Sequence, residues 1–253
     1  MISFENIHKS FGSRGVLQGV SLSVPTGAIR FIIGASGAGK SVLVKHLIGL
    51  IRPDQGRISL DGEDITHLTE KGFYTVRKKC AMVFQHSTLF DSMSLIDNVK
   101  LPLRKHKNLT SSEAENEAMY RLEQVQMAKD ARRYPADIGD GLRKRVAIAR
   151  ALTLDPKYVV FDEPTTGLDP LAAVNVDQLI RELSDEFNVT SIVVSHDLRS
   201  IFTVADQIAM LYNGQVLLDG TPDDFRQSDD SVIRQFIEGR ATGPMEFPKA
   251  SRG

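Results

Sequence analysis

The sequence predicts an α/β fold with a mostly parallel sheet at its core, on three observations. Three short apolar runs, Ala28–Ile33 (AIRFII), Tyr158–Phe161 (YVVF) and Ser191–Ser195 (SIVVS), are mostly continuous rather than alternating. That is the pattern of strands covered on both faces. Residues at helical spacing lie between them. Each run gives way to glycine or polar residues, and in open parallel sheets ligands bind at the carboxyl ends of strands. The three strand ends are therefore expected to converge on one site.

Taken in order, residues 1–27 read as short strands and turns, an antiparallel β portion at the N-terminus. After the first apolar run, Leu43, Leu47, Leu50 and Ile51 recur at helical spacing. Residues 57–66 (RISLDGEDIT) predict a hairpin turning at Asp61-Gly62. The stretch from about 90 to 155 reads as helical, a helical subdomain inserted into the sheet domain. Asp169-Pro170 is a helix start, followed by Leu171, Val174, Leu179, Ile180, Leu183 and Phe187 on one face. One domain over 1–239 is expected, with 240–253 (RATGPMEFPKASRG), which has no periodicity, as an extended tail.

At 253 residues the chain can bury a sizeable core without staples. Its 31 basic and 32 acidic residues leave a net charge of −1, which offers no basis for bulk electrostatic binding of nucleic acid. Cys80 stands alone, so no intrachain disulfide can form and a reducing compartment is expected. The opening MISFENIHKSFG has no charged stretch followed by an apolar run, so no secretory leader is expected. No segment approaches the roughly 18 apolar residues of a membrane span. If the chain serves a membrane, it does so through a partner.

The first strand runs into GASGAGKS, which is Gly34, Ala35, Ser36, Gly37, Ala38, Gly39, Lys40 and Ser41. This fits G-x-x-x-x-G-K-[ST], the Walker A loop that binds the phosphates of ATP. Glycines let backbone N–H groups curl around phosphate oxygens, and the helix that follows favours negative charge. Lys40 would reach the β- and γ-phosphates and Ser41 would hold Mg²⁺. The second strand ends in Asp162-Glu163. Asp162 would hold Mg²⁺ and Glu163 would polarise the attacking water. An apolar strand ending in two acids is common by itself; following a Walker A loop, it predicts a P-loop nucleotide hydrolase.

The order of the remaining motifs resembles that of the ABC-transporter ATPases over nearly the whole chain. Gln85 in VFQHSTLF resembles the Q-loop glutamine, Asp169 in TGLDP the D-loop aspartate and His196 in VVSHD the switch histidine. Phe11 in KSFG sits where the family stacks an aromatic ring on adenine. The resemblance implies that Gln85 touches Mg²⁺ and reports to a membrane partner. It implies that His196 holds the γ-phosphate and water, and that Asp169 couples two sites across a homodimer. Each residue alone has a plainer reading: Phe11 as core, His196 as a surface histidine.

The family's L-S-G-G-Q loop corresponds here to Ile138-Gly139-Asp140-Gly141-Leu142, ahead of RKRVAIARAL. Gly139 stands for the serine whose hydroxyl faces the γ-phosphate of the opposite subunit, and Asp140 for a glycine. A hydrogen bond to a charged group is worth roughly 1.5–3 kcal/mol, and a carboxylate repels phosphate. Gly139, Asp140 and Gly141 therefore predict a slow or tightly regulated ATPase.

Three stretches resemble the ATPases of Mla-type systems, which work with mammalian-cell-entry (MCE) proteins to move lipids. They are SVLVKHLIGLIRPDQGRISLDGEDI, LFDSMSLIDNVKLPLRKH and FIEGRATGPMEF. That resemblance implies a transmembrane permease, an MCE-domain protein and a small regulatory subunit as partners. It places the chain on the cytoplasmic side of the inner membrane, in bacteria rather than plastids for want of a transit peptide. It also implies a tail that reaches the neighbouring ATPase. The alternatives are an amino-acid or other small-solute importer, an ABC ATPase acting on nucleic acid or ribosomes, and a non-hydrolysing subunit. LPLRKHK at 101–107 reads as a solvated basic face or a lipid head-group contact.

Overall fold

In the computed structural model, which describes residues 1–245, the chain opens with two long strands, β1 (Ile2–Phe11) and β2 (Arg14–Val24). Then follow β3 (Ile29–Ile33), α1 (Lys40–Lys45), β4 (Gln55–Leu60), β5 (Glu63–Asp64), α2 (Glu70–Lys79) and β6 (Cys80–Val83). A helical stretch comes next, with α3 (Leu95–His106), α4 (Ser111–Gln124) and α5 (Asp140–Leu152). The chain returns to the sheet through β7 (Tyr158–Asp162), α6 (Pro170–Glu186), β8 (Thr190–Val194) and α7 (Leu198–Val204). It ends with β9 (Gln207–Tyr212), β10 (Gln215–Gly220), α8 (Pro222–Gln227) and α9 (Ser231–Glu238).

The three apolar runs sit side by side in a six-stranded sheet of order β10-β9-β3-β8-β7-β6, parallel except for β10. Their continuity has a physical cause, since each strand feeds two cores on alternate residues. Phe31 and Ile33, Val159 and Phe161, and Val193 face one core with the helical stretch. Ile32, Tyr158 and Val160, and Ile192 and Val194 face another, shared with α1 and a second sheet. That second sheet is antiparallel, in the order β2-β1-β4-β5. The predicted α/β class and the Asp61-Gly62 hairpin between β4 and β5 are both seen.

Residues 1–27 depart from the expected short strands. β1 and β2 run nearly unbroken, but register shifts after Phe4, Ile7 and Lys9 interrupt the alternation that would have marked them. The helical pattern after β3 is also shorter than expected. Gly49 N–H donates to His46 O and Leu50 N–H to Lys45 O, both at 3.1 Å. That is a Schellman closure, and it leaves Leu50 exposed. Leu171, placed on the buried face of its helix by its spacing, is 71% exposed at the start of α6. The basic end of LPLRKHK forms the last turn of α3, where positive charge complements the helix dipole. Of the tail, 246–253 with Phe247 lie outside the described residues.

Candidate nucleotide site

A cleft of about 830 Å³ opens at the carboxyl end of β3. The predicted loop forms its floor, with Gly34, Ala35, Ser36, Gly37, Gly39, Lys40 and Ser41 on the lining. Two of these positions admit only glycine. A Cβ on Gly34 would stand 2.2 Å from the Leu211 carbonyl oxygen, and one on Gly39 2.7 Å from Leu17 Cδ2, both at positive φ. Ala38 lies off the lining and packs against the antiparallel sheet's core. The loop thus obtains its shape from β9 and β2.

Lys40 is buried, its Nζ donating to Gly34 O at 2.8 Å and Ala35 O at 3.1 Å, and lying 4.0 Å from Glu163 Oε1. Burial pushes its pKa down, and the carboxylates of Glu163 and Asp162 push back. Ser41 Oγ donates to Asp162 Oδ1 at 2.7 Å. Asp162 is itself buried, at the end of β7 behind the cleft wall.

Glu163 lines the cleft and has φ of +54°, an uncommon conformation for a glutamate. Backbone and side-chain hydrogen bonds hold it there. Its N–H donates to Val194 O at 2.9 Å, and its Oε2 accepts from Thr166 Oγ1 at 2.9 Å and pairs with His196 Nδ1 at 2.8 Å. The second acid of β7 and the histidine after β8 thus meet across 33 residues of sequence. A carboxylate anchored this way, beside a buried ammonium, can polarise a water at the open end of the cleft. Gln85, in the loop after β6, reaches the lining too. Phe11 is half exposed on the opposite wall, with Lys9 Nζ 5.5 Å from its ring centre, so it is no core residue.

Gly139, Asp140, Gly141 and Asp169 are not brought to this cleft. Gly139 is the N-cap of α5, with no side-chain cap and nothing within 4 Å of the place a Cβ would occupy. Asp140 is exposed and pairs with Arg143 at 3.3 Å. Gly141 packs beside Ala172 of α6. Asp169 caps α6, its Oδ1 accepting from Leu171 and Ala172 N–H at 3.0 Å.

Sequence reasoning missed two basic groups. Arg14 lines the cleft beside Gly37. Lys144, 3% exposed on α5, donates to Phe84 O at 3.1 Å and to Gln85 O, with Asp162, Asp140 and Glu163 nearby. Burial brings its pKa down to about 8 against those carboxylates. Sequence reasoning singled out FIEGRATGPMEF but not its place at the cleft, where Phe236 of α9 and Arg240 and Met245 after that helix form part of the lining. No local signal marks these residues, because each reaches the site from a distant part of the chain.

Comparison with known proteins bears on the whole chain. The family profile described as "ABC transporter" matches residues 17–166. The intermembrane phospholipid transport system ATP-binding protein MlaF of Haemophilus influenzae is 37% identical over 98% of this chain and 94% of its own. The probable ribonucleotide transport ATP-binding protein mkl of Mycobacterium leprae is 38% identical over 96% of this chain and 70% of its own. Among solved structures, a dimeric post-hydrolysis state of the ATP-binding cassette MJ0796 with ADP and Pi has a TM-score of 0.80 at 28% identity, over 88% of this chain and 99% of that one. The structure of cbiO1 from Clostridium perfringens, part of the ABC transporter complex cbiONQ, has a TM-score of 0.83 at 26% identity over 95% of each chain.

Proposed function

We propose that this chain, which belongs to the ABC transporter family, is a transporter's ATP-hydrolysing subunit that clamps ATP between two copies of itself. The observation that carries the reading is a division of parts. The cleft is lined by Lys40, Ser41, Glu163 and His196, with Asp162 tied to Ser41 behind them, while Gly139 and Asp140 stand exposed elsewhere at the start of α5. Two copies set head to tail would bring the α5 N-terminus of one to the cleft of the other. The exposed Leu142 and Leu171, near that N-terminus, would then be covered.

Within the cleft, Phe11 would stack on adenine and Lys40 would neutralise the β- and γ-phosphates. Ser41 and Asp162 are hard oxygen donors 2.7 Å apart, which suits a Mg²⁺ that takes its other ligands from phosphate and water. Gln85 would complete that set. Mg²⁺ supplies charge neutralisation at the phosphates; Glu163 activates the water and His196 steadies it against the γ-phosphate. Asp169 would couple the two sites through the start of α6. Turnover would be slow, because Gly139 offers no hydroxyl and Asp140 adds a carboxylate facing phosphate.

The cargo we assign is phospholipid, supported by the MlaF relatives, which are named for intermembrane phospholipid transport, and by the three stretches that resemble Mla-type ATPases. Among the described residues no helix is long and apolar enough to cross a membrane. The chain would sit on the cytoplasmic face of an inner membrane through a permease, alongside an MCE-domain protein and a small regulatory subunit. A second reading has comparable support, since the mycobacterial relatives carry the name of a ribonucleotide transporter. Purification from native membranes in mild detergent, with mass spectrometry of bound proteins and lipids, separates them. An MCE-domain protein, a permease and phospholipid support the lipid reading; a permease with bound small solute and no lipid overturns it.

A further inference from the structure

The end of α9 and the residues after it are held by a clasp that none of the motifs above explains. Gln235, 3% exposed, grips the returning chain from both sides. Its Nε2 donates to Arg240 O at 3.3 Å and to Met245 O at 3.5 Å, and its Oε1 accepts from Met245 N–H at 2.7 Å. One side-chain amide thus pairs with both polar groups of one backbone residue, as a neighbouring strand would. Tyr212 Oη adds a hydrogen bond to Pro244 O at 3.2 Å. Gly243 lies against the amide so closely that a Cβ there would stand 2.3 Å from Gln235 Oε1. Met245 is buried under this arrangement. Chain ends fray unless something ties them down, and here a buried amide, a glycine and a tyrosine do so.

What the clasp holds in place is a wall of the nucleotide cleft. Phe236, Gly239, Arg240, Ala241 and Met245 line the same space as Ser36, Lys40 and Glu163. The Arg240 side chain is 64% exposed and pairs with Glu238. With Arg14 and Lys40 it brings a third cation to a cleft whose lining carries one carboxylate, Glu163.

We propose that this clasped turn is part of the nucleotide site of its own subunit, with Arg240 as a nucleotide-binding residue that contacts the anionic part of the ligand. The proposal rests on the reading of the cleft as an ATP site and adds to it an element outside the Walker, Q-loop and switch motifs. Nucleotide affinity and seating of the turn are then linked, each favouring the other.

Calorimetric binding of Mg-ADP to the full chain tests this, since a diphosphate reads the half-site of one subunit. Arg240→Ala is expected to weaken binding about threefold, the scale of one exposed charge contact. Gly243→Val, which unseats the turn from behind, is expected to weaken it about tenfold. Mg-ADP should also slow tryptic cleavage after Arg240 in the unaltered chain. Lys40→Ala is the control for the cleft itself. If it loses binding while Arg240→Ala and Gly243→Val bind as the parent does, the turn has no part in the site. Tighter binding by both would mean that the turn obstructs the cleft, which also overturns the proposal. Failure of the parent to bind Mg-ADP would remove the ATP reading and this one together. Should Gly243→Val not fold, the surface variant Arg240→Ala decides alone.

Discussion

Among the described residues two helix starts have glycine at the N-cap, Gly39 before α1 and Gly139 before α5, and they are furnished in opposite ways. Both present the positive end of a helix, a ready site for an anion. At Gly39 the surroundings are closed. Leu17 and Val16 press on the loop, Lys40 folds back over it, and Ser41 is tied to Asp162. At Gly139 nothing touches the position, and Asp140 begins the helix in the open, paired only with Arg143. The first is finished within one chain. The second is unfinished, and its acidic first turn suits the stability of α5 better than the approach of phosphate. The sites differ in what completes them, and packing does not require glycine at 139.

The two starts should differ most in their response to substitution at Lys40. Lys40→Ala should lower ATP hydrolysis by about a hundredfold or more, because it removes the buried charge aimed at the phosphates. A steady-state ATPase assay checks this, and near-normal turnover would mean that the closed start is not where phosphate binds. A smaller effect of opposite sign is expected at the open start. The double change Gly139→Ser with Asp140→Gly should raise turnover by about ten- to a hundredfold, if the restored hydroxyl acts mainly in the transition state. An unchanged or lower rate in the same assay would sink the slow-ATPase reading. Gly139→Ser alone should also stabilise the fold by only a few tenths of a kcal/mol, read by denaturant unfolding, since a serine cap gains little over glycine.

A separate effect, on stability rather than turnover, concerns a group away from both starts. Asp177 of α6 is buried against Ser200, and burial raises its pKa to about 6. The folded state therefore keeps a proton that the unfolded chain has released. Stability from this group is full at low pH and is lost as pH rises from about 4 towards 6. Asp177→Asn should flatten that loss, which thermal unfolding at pH 5 and pH 7.5 would show. An identical pH dependence in the two proteins would contradict the assignment.

The same contrast governs what could be read from the sequence. β3, β7 and β8 were legible because burial on both faces writes an unbroken apolar run. β6 is four residues long, β10 is partly exposed along its length, and the bulges in β1 and β2 erase their alternation. These depend on pairing partners that no local pattern names. The loop at Gly34–Ser41 is contiguous, so its phosphate chemistry is written in one place. By contrast, Lys144 reaches Gln85 across 59 residues, and the Gln235 clasp has meaning only once α9 lies beside the cleft. Leu171 misled for a related reason: helical spacing records which face a residue shares, and here an apolar residue at the helix start stays exposed.

The central claim is that ATP joins the finished start of one copy to the unfinished start of another. Sedimentation of the Glu163→Gln variant with saturating Mg-ATP tests it most directly, because the variant keeps the cleft while losing the carboxylate that activates water. A stable dimer with Mg-ATP and a monomer with Mg-ADP are expected. A variant that binds Mg-ATP and stays monomeric would contradict it.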